Sequence, residues 1–199
     1  MPASTFGDGV VPSGITLDKR SEGGAIKVGD APFLNTTEKA LNFTTTAGGD
    51  DRFYFTINPV DGANKIVLET KYRVDATANG NQIFEFMIGN NRTSYLCITR
   101  NVDGSITISD YIDKKYSFST ITLKDVSEGW MDLKIVGYED ETEGLVFDII
   151  INGRTIVTSK NEHFLGNKVS DIARMRYYTY SSLDAEIYFD DLKIEKIKE

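Results

Sequence analysis

An all-β chain built as a two-sheet antiparallel β-sandwich is the fold class this sequence predicts. Three observations predict it. Roughly a dozen short segments alternate apolar and polar residues with a period of two. Turn signals separate them, above all Asn152-Gly153 and Asp103-Gly104, which suit the positive-φ positions of tight hairpins. No stretch keeps a helical period for more than about two turns. At 199 residues, one sandwich can take the whole chain as a single domain and still bury a sizeable core.

The elements follow in order. Residues 1–14 are rich in Gly, Pro and Ser and are expected to be largely irregular, with a short strand at Val10 and Val11. A first strand is predicted at 25–28, between Gly24 and Gly29. In 39–45, Leu41 and Phe43 share a face; in 52–58, Phe53, Phe55 and Ile57 do. The long segment 65–75 sets Ile66, Leu68, Tyr72 and Val74 against Glu69, Lys71 and Arg73. In 82–88, Phe84, Phe86 and Ile88 point inward, Glu85 and Met87 outward. In 93–100, Leu96 and Ile98 oppose Tyr95 and Cys97. Asp103-Gly104 turns the chain into 105–110, and 116–123 follows. Segment 130–138 carries Met131, Leu133 and Ile135 on one side. An acidic turn at 139–144 leads into 145–151, and Asn152-Gly153 into 154–159. Residues 161–170 read as a loop with one helical turn, and 172–180 and 185–196 close the chain.

Composition excludes several functions. The net charge of −8 argues against binding a nucleic-acid backbone, which needs a basic surface. It also disfavours anionic membranes and strongly acidic polymers, except through a local basic patch. No apolar run reaches the roughly 20 residues of a membrane span, so no membrane insertion is expected. The single Cys97 cannot form an internal disulfide. The single His163 excludes a multi-histidine metal site and argues against serine- or cysteine-type triads. The opening M-P-A-S-T-F-G-D-G lacks the basic start and apolar stretch of a signal peptide. The expectation is a chain made in the cytoplasm, carried in a larger assembly, or trimmed from a longer one.

The closing segment, A-E-I-Y-F-D-D-L-K-I-E-K, poses a problem. Strict alternation puts Ile187, Phe189 and Asp191 on one face and Tyr188, Asp190, Leu192 and Ile194 on the other. Apolar residues on both faces predict a central strand buried on two sides. A buried carboxylate is costly unless paired, hydrogen-bonded or metal-bound. One of Asp190 and Asp191 is therefore expected to be a structural anchor and the other a surface carboxylate.

A resemblance enters on particular residues. These are Trp130-Met131-Asp132-Leu133-Lys134-Ile135, then Phe147-Asp148-Ile149-Ile150-Ile151-Asn152-Gly153, then I-Y-F-D-D-L-K-I at 187–194, and F-G-D-G-V-V-P-S-G at 6–14. Together they resemble concanavalin A-like (laminin G-like) jelly-roll domains over nearly the whole chain. The resemblance implies a jelly roll whose opening and closing strands pair. In related carbohydrate-binding modules a structural Ca²⁺ is held between those strands, which implies Asp8 with Asp190 or Asp191 as ligands. The plainer alternative is that Asp8 caps a turn while the pair accepts backbone hydrogen bonds or meets Lys or Arg. Domains of this look also serve as adhesion modules of bacterial surface and bacteriophage virion proteins. That implies a virion or cell-surface setting, with other assembly proteins as partners.

The binding expectation rests on 172–180, I-A-R-M-R-Y-Y-T-Y. Ala173, Met175 and Tyr177 suit the core; Arg174, Arg176, Tyr178 and Tyr180 then share the other face. Phenol rings stack on sugars, and guanidinium forks bond hydroxyls or carboxylates. If this strand lay beside 65–75 and 82–88, the same face would present Lys71, Arg73, Glu85 and Tyr95. Such a surface could receive a polysaccharide or surface glycan, including an acidic one. The alternative is a solvent-facing sheet with ordinary cross-strand pairs. For catalysis, the E-x-D-x-x-E cluster of glucanases is missing. Glu139, Asp140, Glu141 and Glu143 sit in a solvated turn, and His163 stands alone in a loop. Trp130 reads as core, Cys97 as a small filler. The Asn42 and Asn91 sequons carry little weight without secretion. The expected function is non-catalytic glycan binding or adhesion. The rival is a structural or decorating subunit acting through protein–protein contacts. A hydrolase or lyase would need two carboxylates, or Tyr and His, converging in one cleft.

Overall fold

The computed structural model describes residues 11, 14–18, 24–30, 39–45, 52–74, 81–88, 94–100, 106–112, 115–121, 130–160, 168–180 and 185–199. Strands form almost everywhere among them. They are β1 (Ile15–Asp18), β2 (Ala25–Asp30), β3 (Lys39–Thr45), β4 (Arg52–Thr56), β5 (Lys65–Val74), β6 (Asn81–Ile88), β7 (Ser94–Arg100), β8 (Ile106–Ile112), β9 (Lys115–Ile121), β10 (Met131–Asp140), β11 (Gly144–Ile151), β12 (Arg154–Lys160), β13 (Ile172–Tyr180) and β14 (Ala185–Ile197). A 3-10 turn, Val169–Asp171, precedes β13. The first sheet runs β1-β4-β13-β6-β7-β8-β9 and the second β12-β11-β10-β5-β14-β3-β2. Ladders in both are antiparallel. The predicted two-sheet sandwich is therefore what forms.

The two sheets meet through aromatic rings. Phe53 and Tyr177 of the first sheet face Phe43 and Phe189 of the second, all fully buried. Ring centroids lie 5.1 Å apart for Phe43–Phe53 and Tyr177–Phe189, 5.4 Å for Phe53–Phe189 and 5.8 Å for Phe43–Tyr177. These are edge-to-face contacts, worth about 0.5–1.5 kcal/mol per pair beyond the area they bury. Tyr72 of β5 reaches across the same core, its hydroxyl 3.4 Å from that of Tyr177. Each phenol thereby gives the other a polar partner inside an apolar layer.

Local turn chemistry fixes the register. Asn152 and Gly153 have φ of 49° and 75°, the two left-handed positions of a type I′ hairpin joining β11 to β12. Asn152 also holds β10: its Oδ1 accepts the Asp132 N–H at 2.9 Å. In the acidic turn, Asp140 Oδ1 accepts the backbone N–H groups of Thr142 and Glu143 at 2.8 and 3.0 Å. Glu139 is exposed, yet its Oε1 accepts the Val169 N–H at 2.7 Å and so tethers the 3-10 turn. Gly137 lies between Ile66 and Phe147 in the ladders of β10 with β5 and β11. A Cβ there would fall 2.7 Å from Phe147 Cε1 and 2.8 Å from Ile66 Cγ2, so only glycine fits.

The closing strand corrects the sequence reading. A bulge interrupts β14 between Asp190 and Lys193: three steps along β14 match two along β5. The extra residue shifts the alternation. Ile187 and Phe189 are buried before the bulge; Leu192, Ile194 and Lys196 are buried after it, and all belong to one core-facing side. The strand is thus apolar on one face, not two. Lys196 takes the last inward position and donates from Nζ to the Ser170 carbonyl at 2.9 Å. Burial pulls its pKa below the ordinary lysine value, with Asp171 acting against the shift.

Candidate functional site

The site begins with β4 and β13, neighbours in the first sheet, second and third from its β1 edge. Phe53, Phe55, Met175 and Tyr177 are buried in the core. Alternation then places Arg52, Tyr54 and Thr56 of β4 on the sheet's outer face, with Arg174 and Arg176 of β13. The register pairs Thr56 with Arg174, Tyr54 with Arg176 and Arg52 with Tyr178. The Arg174 guanidinium lies 5.2 Å from the centre of the Tyr54 ring, within cation–π range. Arg174 is half-buried, and Arg176 is only 8% exposed although it lies on the outer face. On the other side of β13, Glu85 of β6 is the ladder partner of Arg176, and Ile83 that of Tyr178.

Part of the expected constellation assembles here. Arg174, Arg176, Tyr178 and Tyr180 lie on one strand, and β6 is beside it, bringing Glu85 to the register position opposite Arg176. The side chains of Tyr178, Tyr180, Glu85 and Tyr95 lie outside the described residues. Tyr95 falls at a register break of β7, where Phe86 pairs with Leu96 and Met87 with Ser94.

Lys71 and Arg73 do not join the group. The reading placed β5 beside β13, but β5 pairs with β10 and β14 in the second sheet. Tyr72 points into the core, so Lys71 and Arg73 face outward on the opposite side of the sandwich. Lys71 Nζ sits 2.9 Å from the Asp191 carboxylate, and Arg73 is the ladder partner of Tyr188. Sequence reasoning missed Tyr54 and Arg52. Their alternation with Phe53 and Phe55 was visible, but the pairing of β4 with β13 was not.

The acidic pair has protein partners. Asp191 sits in the bulge at φ 49° and is paired with Lys71. Asp190 is 4% exposed; its Oδ1 accepts the Asp191 N–H at 2.8 Å, and its carbonyl accepts the buried Thr70 hydroxyl at 3.0 Å. The two carboxylates thus shape the bulge, Asp190 turned onto the Asp191 N–H and Asp191 onto Lys71. Among the described residues no group of three or more His, Cys, Asp or Glu comes together as one. Asp8, the third expected ligand, lies outside the described residues, as do His163 and the Asn91 sequon.

Two surface features of the second sheet complete the inventory. Trp130 is half-buried beside Tyr188, ring centroids 6.4 Å apart, and so is not the core residue expected. Asn42 is 4% exposed, and its Oδ1 has no hydrogen-bond partner among the described residues. That burial leaves no room for a glycan on its sequon in the folded chain.

No family profile and no curated protein sequence matches this chain. Solved structures of similar fold exist. An endo-β-1,4-glucuronan lyase from the fungus Trichoderma reesei matches with a TM-score of 0.61 and 14% identity, over 90% of each chain. The binding domain of botulinum neurotoxin DC, solved in complex with rat synaptotagmin II, matches with a TM-score of 0.60 and 12% identity. That match covers 92% of this chain but 43% of the toxin domain, so the chain spans less than half of it. An alginate lyase in complex with an alginate trisaccharide matches with a TM-score of 0.52 and 15% identity, over 79% of this chain and 82% of the enzyme. At these identities the likeness is one of β-sandwich fold.

Proposed function

We propose that the chain is a non-catalytic glycan-binding module and that the ligand lies on the outer face of the first sheet. One observation carries the reading: Arg174, Arg176 and Tyr54 stand together on two adjacent strands, with Tyr178 and Tyr180 continuing β13. Phenol faces suit pyranose rings, and a half-buried guanidinium such as that of Arg174 bonds hydroxyls or carboxylates from a fixed position. The fold supports it too. It is shared with an alginate lyase solved in complex with an alginate trisaccharide and with botulinum neurotoxin type C, whose cell entry is described as dependent upon interaction with two ganglioside molecules. In this reading the module works outside the cell or on a virion, as part of a larger surface assembly, and attaches it to a carbohydrate.

The reading is non-catalytic because the face offers arginine and tyrosine without a described pair of carboxylates or a histidine beside them. The rival, a module acting through protein contacts, draws on the toxin domain solved with rat synaptotagmin II. A glycan array separates the two. Wild-type protein should give discrete glycan signals, and the variant Arg176→Ala with Tyr178→Ala should lose them while keeping its circular dichroism spectrum. Signal retained by the folded variant would move the site elsewhere; a blank array for wild type would favour the rival.

A further inference from the structure

Asn152-Gly153 joins two chemistries at one turn. As a turn it supplies the left-handed φ of 49° and 75° between β11 and β12. As a sequence it exposes a side-chain amide to attack by the next backbone nitrogen, because glycine puts no Cβ in the way. The folded turn holds the two reacting atoms apart. A residue in the left-handed region has ψ of about +47°. For an L residue that turns the following nitrogen to the side of the Cα–C bond opposite Cβ, so Gly153 N lies away from Asn152 Cγ. The side chain is held as well. Its Oδ1 accepts the Asp132 N–H at 2.9 Å, while the Asn152 N–H donates to the Asp132 carbonyl at 2.9 Å.

The hold is local. β12 is an edge strand of the second sheet and is hydrogen-bonded to β11. Asn152, Gly153, Arg154 and Thr155 are exposed. Among the described residues nothing lies within 4 Å of the place a Gly153 Cβ would take, so water and base reach its amide. Ile156 of β12 is partly buried and packs against the core. Edge strands of this kind open at a lower free energy than the core they flank.

We infer that Asn152 is a deamidation site gated by this hairpin. When β12 peels back, Asn152 leaves the left-handed region and its Oδ1 leaves Asp132. Base removes the Gly153 amide proton, the nitrogen bonds to Asn152 Cγ, and the Cγ–N bond of the side chain breaks to release ammonia. Water opens the resulting succinimide at either carbonyl and leaves Asp or isoaspartate at position 152. Water is the one reactant consumed, and no oxidant or reductant takes part. The Asp product sets a second carboxylate beside the exposed Asp132. The isoaspartate product adds a carbon to the main chain of a two-residue turn. Neither re-forms the turn as it was, so the step is one-way and the modified fraction counts hairpin openings. The inference stands apart from the glycan-binding reading.

Peptide mapping by mass spectrometry tests it on the whole chain, aged in mildly alkaline buffer. The map also separates Asn152 from Asn79-Gly80, the other Asn-Gly of the sequence. Deamidation at Asn152 should run at least about tenfold slower in the native chain than in chain unfolded in urea, because it waits on local opening. Urea below the unfolding midpoint should already raise the native rate. Ile156→Ala, which loosens the packing of β12, should raise it severalfold and leave the unfolded rate unchanged. Aged wild type should melt below fresh wild type. Asn152→Gly keeps a residue at ease with left-handed φ and has no amide to lose, so its fresh and aged forms should melt alike. Equal native and unfolded rates, or no effect of Ile156→Ala, would overturn the gate. No deamidation at Asn152 in urea would overturn the site, and a modified chain that melts with the fresh one would overturn the one-way step.

Discussion

Gly137→Ala isolates the tightest backbone approach in the core. The new Cβ would lie 2.7 Å from Phe147 Cε1 on one side and 2.8 Å from Ile66 Cγ2 on the other. Ordinary contact begins at 3.4 Å, so the shortfalls are 0.7 and 0.6 Å. Phe147 and Ile66 are both fully buried, so neither can swing out. Relief toward one neighbour deepens the clash with the other. Overpacking of a tight core costs about 1–3 kcal/mol, and a two-sided clamp belongs at the upper end. Alanine regains about 0.5–1 kcal/mol of the entropy that glycine loses in a strand. The net loss should be about 2 kcal/mol or more. For a chain of this size that lowers the melting temperature by about 4–8 °C. Urea titration should show a lower midpoint at unchanged slope. Phe147→Leu removes the ring edge that meets the new methyl, so the double variant should lose less than the two single losses combined, by about 1 kcal/mol. Additive losses, or a single variant within 0.5 kcal/mol of wild type, would sink the packing argument.

Three further outcomes follow from other positions. Asp191 holds a left-handed φ of 49°. Asp191→Val should therefore cost about 1–3 kcal/mol in a urea titration, whereas Asp191→Gly should come close to neutral, because glycine relieves strain while losing the Lys71 ion pair; equal losses would discount the backbone. Asn42→Leu removes a buried amide oxygen with no partner among the described residues and should raise stability by about 1–2 kcal/mol; a lower denaturation midpoint would mean that the atom is hydrogen-bonded in the folded chain. Tyr138 titrates above the ordinary value of 10, because burial first and then Asp148 and Asp140 disfavour its phenolate. Its contribution to stability is complete below pH 10 and is lost as pH rises through the folded pKa. In a spectrophotometric phenolate titration Tyr138→Phe should remove a late-titrating group, and Asp148→Asn should bring that group earlier; no change in either would contradict the assignment.

Much of the fold was legible because it is written locally. Period-two alternation found β3 and β13 at their observed bounds, and Asn152-Gly153 announced its hairpin through backbone conformations few other residues adopt. β1 was too short for its alternation to register. Pairing between distant strands leaves no local mark. That is why Lys71 and Arg73 were assigned to the wrong sheet, and why Tyr54 and Arg52 were not seen beside Arg176. In β14 the alternation was read faithfully and still misled. A bulge is a change of count, not of composition, and nothing in A-E-I-Y-F-D-D-L-K-I-E-K marks where it falls.

The same bulge makes the closing strand tolerant of a lost residue at one point and at no other. The frame in which Ile187 and Phe189 meet the core is not the frame in which Leu192 and Ile194 do; one residue separates them. Upstream, the ladders to β3 and β5 both hold the first frame. A one-residue deletion at Asp191 would therefore remove the bulge and leave the downstream half in place, with Lys193 still opposite Glu69 and Ile194 opposite Leu68, and Ile187, Phe189, Leu192 and Ile194 in one unbroken alternation. The same deletion made at any other point of the strand would send one half of its apolar residues to solvent. Relatives that lack the extra residue should carry the unbroken alternation. A one-residue gap at Asp191, with the polarity pattern unchanged on both sides, is then a mark by which they can be recognised when residue identity has faded.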